Sequence, residues 1–155
     1  MRAFEDFKIG DTMEFGPLAI TAADIKSFAA RFDPQPMHLD DAASQNAIVD
    51  GLFASGLHLL CIHMRLFADG VLRDSTSMGS PGVEEVRYLA PVRAGESLTL
   101  RVEIVGARPS KSRPEIGLVK FRSHVVSAES KPVLEMAATL MFGRRAAMGG
   151  NGITK

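Results

Sequence analysis

"LFASGLHLLCIHMRLFADGVL", residues 52–72, is the longest apolar run in the chain. A membrane-spanning helix needs about 20 consecutive apolar residues, and this run is interrupted by His58, His63, Arg65 and Asp69. The better reading is a helix over roughly 55–68, ending near Gly70 and buried inside protein. It is apolar on nearly every face, so other elements must wrap around it.

The C-terminal half of the chain can do the wrapping. After "SMGSPG" the periodicity changes, and "VEEVRYLAPV", "ESLTLRVEIVGA", "GLVKFRSHVVSA" and "PVLEMAATLMF" read as strands. Leu98, Leu100, Val102 and Ile104 alternate with Thr99, Arg101 and Glu103, the period of a half-buried strand. Gly, Ser, Pro and Lys occupy the turns. The layout is α+β: one long buried helix, then antiparallel strands that can curl around it.

Upstream, residues 8–20 read as a short strand after a Gly-Asp turn. Thr21 caps a helix that carries Ile25, Phe28 and Phe32 at helical spacing. Pro34 disfavours helix at Asp33 and Pro36 does the same to Gln35, so 33–37 is expected to be an extended loop. A short helix is expected over 40–47, capped by Asp40 or Asp41. The domain is expected to span 1–143, and 144–155, Gly-rich and without apolar pattern, to be disordered.

With 155 residues the chain has room for one domain and one core. Lys+Arg and Asp+Glu are 18 each, which argues against a nucleic-acid footprint. The single cysteine, Cys61, rules out an intrachain disulfide and reads as a buried small hydrophobe. The N-terminus carries acids and no apolar core of a signal peptide, so a cytoplasmic protein is expected, with no membrane partner. His58 and Cys61 stand three apart, but no further ligands complete a cluster, so no metal is expected. His58 and His63 are read as packed, hydrogen-bonded histidines. Arg108, Lys111 and Arg113 read as a solvated hairpin tip.

The chemistry-bearing stretch is "FDPQPMHLDD", residues 32–41. Two prolines stiffen a segment that carries Asp33 and His38. On the residues alone Asp33 could simply end a helix in an Asx turn, and His38 could be a surface residue. The wider pattern resembles the MaoC-like dehydratases and (R)-specific enoyl-CoA hydratases, which adopt the hot-dog fold. Their Asp-x-x-Pro-apolar-His-apolar-Asp motif is matched by Asp33, Pro36, Met37, His38, Leu39 and Asp40. Their central-helix glycine, eighteen residues after the histidine, is matched by Gly56, and "APVRAGE" matches their strand–turn segment. Gln35 stands where the family usually has Asn, and Met64 where the best-known hydratases have Ser.

The resemblance implies reversible hydration of a trans-2-enoyl thioester to the (R)-3-hydroxyacyl thioester. Asp33 and His38 would hold the water, the Gly56 N–H would hold the oxyanion, and Gln35 would support the loop. The substrate would be an acyl-CoA or acyl-carrier thioester with no further cofactor. The cleft would lie in a homodimer or larger homo-oligomer. The competing readings are a hot-dog thioesterase and a non-catalytic acyl-thioester-binding domain.

Overall fold

The computed structural model describes residues 1–42 and 49–145. The element order is a 3₁₀ turn at Phe4–Asp6, β1 (Thr12–Ala19), α1 (Ala22–Phe32), α2 (Pro36–Leu39), α3 (Gly56–Phe67), then β2 (Val83–Tyr88), β3 (Ser97–Pro109), β4 (Ile116–Val126) and β5 (Pro132–Gly143). All four expected C-terminal strands form. They join β1 in one antiparallel sheet of order β1-β3-β4-β5-β2. The sheet curls over α3, which is the hot-dog arrangement.

The alternation in β3 sets which face meets the helix. Leu98, Leu100, Val102 and Ile104 are all buried, while Arg101 and Glu103 point to solvent. On the outer face Arg101 Nε donates to Glu14 Oε2 across the β1–β3 pair at 2.8 Å. The buried side chains form one cluster with Leu59, Ile62, Leu66 and Phe67 of α3 and with Phe121, Leu134 and Phe142. Phe67 meets Phe121 edge-on, with ring centroids 5.2 Å apart at 79°. Each such fully buried side chain stabilises the fold by about 1.5–3 kcal/mol relative to an exposed one.

Several expectations need correcting. Residues 33–35 lie outside any helix, but Pro36–Leu39 forms a helical turn with Pro36 in its first position. Proline restricts the residue before it, yet its own fixed φ suits the first position of a helix. Gly70 does not end the central helix. The chain continues through a π-type turn over Ala68–Leu72, and Gly70 lies so tightly against the Phe15 ring that a Cβ would overlap it. Nor is α3 covered all round. Leu57 and Met64 are each 50% exposed, and Cys61 between them is exposed rather than buried. The sheet reaches only one side of the helix, so the 57–61–64 stripe is left open in a single chain.

The hairpin tip is as expected: Arg113 pairs with Glu115 beside it at 2.9 Å. The helix expected over 40–47 falls largely on residues 43–48, and the expected disordered tail largely on 146–155, which are outside the described residues. Among the described residues, no helix is long and apolar enough to cross a membrane, and no group of three His, Cys, Asp or Glu could hold a metal ion.

Candidate active site

The site is built where the end of α1 meets the start of α3. Helix α1 begins as expected: Thr21 accepts from the Asp24 N–H, and Asp24 reciprocates at the Thr21 N–H. Ile25 and Ala29 bury its inner face. Phe28 stacks on His58 of α3, centroids 4.5 Å apart and nearly parallel. That contact sets Asp33, the C-terminal cap of α1, beside Ser55, the N-terminal cap of α3. The segment leading into α3 is pinned in turn, because the Ala54 N–H donates to the Val92 carbonyl at 2.8 Å.

The proline-stiffened loop folds back as the function would require. His38 Nε2 lies 3.5 Å from Asp33 Oδ2. His38 is only 3% exposed, which overturns the reading of it as a surface residue. Its other ring nitrogen, Nδ1, lies 2.9 Å from the Phe53 carbonyl oxygen. A carbonyl can only accept, so Nδ1 carries a proton, and Nε2 is the ring atom turned to the Asp33 carboxylate. Asp33 is held at both oxygens. Gln35 Nε2 donates to Oδ1 at 2.7 Å, and Ser55 Oγ donates to Oδ2 at 2.6 Å. The Ser55 and then the Gln35 hydrogen bonds, helped by His38, hold the Asp33 carboxyl below the ordinary aspartate range despite partial burial. Asp33 is therefore an acceptor at neutral pH.

Asp33, Gln35, His38 and Gly56 line one cleft of about 620 Å³, whose walls include Met37, Val49, Phe53, Leu57, Tyr88 and Leu89. It combines an apolar lining with a few convergent polar groups, the composition of a small-molecule site. Gly56 is the first residue of α3, where the backbone N–H has no acceptor within the helix and the helix dipole favours negative charge. A Cβ at Gly56 would come within 2.7 Å of the Tyr88 ring, so this glycine also lets the Tyr88 side chain close on the helix start.

Ser55 and Tyr88, which also line the cleft, were not picked out from the sequence. Ser55 had a signal, a good N-cap residue directly before the helix glycine. Tyr88 had none, since its strand pattern says nothing about what the strand end touches. Met64, two turns along α3 from Gly56, is half exposed and does not line the cleft. His63 is buried and bonds Ser123 through Nε2 at 2.7 Å, as expected of a packed histidine. His58, by contrast, is held by stacking, and its buried Nδ1 has no partner among the described residues.

An antiparallel sheet curled over one helix, with an acid–imidazole pair beside the helix N-terminus in an apolar cleft, defines a hot-dog domain. The chain belongs to the MaoC-like domain family, whose model matches residues 6–124. It is 28% identical over 148 residues to the (R)-specific enoyl-CoA hydratase of Rhodospirillum rubrum, covering 92% of both chains. The crystal structure of a MaoC-like dehydratase from Rhodospirillum rubrum is similar at a TM-score of 0.85 and 34% identity, covering 92% of this chain and 97% of that one. The R-hydratase PhaJ1 from Pseudomonas aeruginosa shares the fold, with a TM-score of 0.74 at 22% identity, over 92% of this chain and 86% of that one.

Proposed function

We propose that this protein is a hydro-lyase that reversibly hydrates a trans-2-enoyl thioester, carried on coenzyme A or an acyl carrier, to the (R)-3-hydroxyacyl thioester. One observation carries the reading: Asp33 Oδ2 and His38 Nε2 lie 3.5 Å apart in the cleft, with the other ring nitrogen of His38 turned to the Phe53 carbonyl. A water seated beside both groups can hydrogen-bond to the carboxylate and the ring nitrogen together, and water is the co-substrate. As its oxygen attacks the β-carbon, a proton passes to the pair, and the Asp33 carboxylate stabilises an imidazolium formed at His38. The same pair returns a proton to the α-carbon. Negative charge gathering on the thioester oxygen meets the Gly56 N–H at the start of α3.

The reading needs no resident cofactor. It assigns the protein to acyl-thioester metabolism in the cytoplasm and to a homodimer, in which a second copy covers the open side of α3 and the edge strand β2. The thioesterase alternative wants an acid on the central helix. Asp69, just beyond the end of α3, is tied up with Arg65 and Arg73 instead.

The test is hydration of crotonyl-CoA, followed by loss of enoyl absorbance with free thiol monitored in parallel. Asp33→Asn and His38→Ala should each lower kcat by about 10²–10⁴. The double variant should be little worse than either single one, since groups acting as a unit are not additive. Thiol release, an (S)-alcohol product, or near-normal hydration by either single variant overturns the reading.

A further inference from the structure

The hydrogen bonds around Ser55 leave no choice of roles. The Leu57 N–H can only donate, so Ser55 Oγ accepts it, at 3.2 Å. The hydroxyl's single proton then goes to Asp33 Oδ2, at 2.6 Å. Ser55 is 1% exposed, so bulk water does not compete for either bond. The oxygen it holds is also the one that faces His38 Nε2. Gln35 holds the opposite oxygen, and the carboxylate is thereby kept from turning about its Cβ–Cγ bond. Ser55 immediately precedes Gly56, so one hydroxyl ties the carboxylate to the first turn of α3, where the Gly56 N–H lies.

We propose that Ser55 is a positioning residue for the Asp33–His38 pair: its hydroxyl aims Oδ2 and fixes the distance from the carboxylate to the Gly56 N–H. This rests on the hydration reading above. The hydroxyl occupies one lone pair of Oδ2 and leaves the other for the reacting water.

The test separates this role from simple helix capping. Ser55→Ala removes both bonds. Ser55→Gly removes the hydroxyl but leaves a residue accepted at N-caps, so it serves if the alanine variant does not fold. Ser55→Thr keeps the hydroxyl. With crotonyl-CoA, the alanine and glycine variants should lose about ten- to a hundredfold in kcat with KM within about twofold, since alignment matters most in the transition state. Their Asp33 carboxyl should titrate higher than in wild type, as expected when a carboxylate loses a charge-assisted donor. Ser55→Thr should restore both.

Reduced thermal stability with unchanged kcat would overturn the proposal and leave Ser55 a cap. A ¹³C titration of the Asp33 carboxyl in wild type and Ser55→Gly reads the same contact without turnover. If wild type fails to hydrate, the functional reading falls, and this titration still decides whether Ser55 governs Asp33: an upward shift supports it, and no shift refutes it.

Discussion

Acid should destabilise this protein through His63 before its carboxylates begin to titrate. His63 sits on the inner face of α3 at 1% exposure. Nε2 lies 2.7 Å from Ser123 Oγ, which in turn lies 3.3 Å from the Met136 carbonyl. If Ser123 gives its one proton to Met136, the ring donates from Nε2 and leaves Nδ1 bare. That Nδ1 is buried without a partner, tolerable as a lone pair but costly as an N–H. Burial accordingly lowers the His63 pKa from 6.5 to about 4. The unfolded chain therefore binds more protons than the folded one between those values. Stability rises with pH across the window and is lost as pH falls through it. The full difference is about 3 kcal/mol, of which about 2 kcal/mol is lost between pH 7 and pH 5. His58 is lowered in the same direction by burial, partly offset by Asp24, so it adds to the slope without changing its sign. The assay is urea unfolding at fixed protein concentration across pH 7 to 5, comparing wild type with His63→Leu. Ser123 retains the Met136 carbonyl in the variant, so no buried hydroxyl is left without an acceptor. The variant should lose about 2 kcal/mol less than wild type over this range. Equal slopes would refute the assignment of the acid sensitivity to His63.

Gly56→Ala should cost about 1 kcal/mol, at the low end for an overpacked contact because the half-exposed Tyr88 ring can swing aside. In a Tyr88→Ala background that cost should vanish, and the same penalty in both backgrounds, measured by urea unfolding, would show the clash lies elsewhere. Sedimentation at micromolar concentration should give at least a dimer, because Leu57 and Met64 on α3, together with Tyr88 and Leu89 at the end of β2, leave apolar surface and an unpaired strand edge in a single chain. A species of only 16.7 kDa would oppose that assembly.

Local chemistry made much of this protein legible in its sequence. Thr21 and Asp24 form a reciprocal cap whose members lie three residues apart, and the alternation from Leu98 to Ile104 needs only the two-residue period of a strand. The apolar run at 52–72 named the central helix because so many apolar residues cannot face water. Local rules also marked Asp33, His38 and Gly56, once the resemblance supplied their register. Other features depended on partners far away along the chain. That Asp33 and His38 converge follows from a loop folding back against the start of α3, and Ser55 reaches Asp33 from 22 residues away. Tyr88 meets Gly56 only because β2 joins the sheet beside β5 and ends there. The open stripe at Leu57, Cys61 and Met64 was hidden for the same reason. Composition says that a helix is apolar, but only the placement of the sheet decides which of its faces is covered.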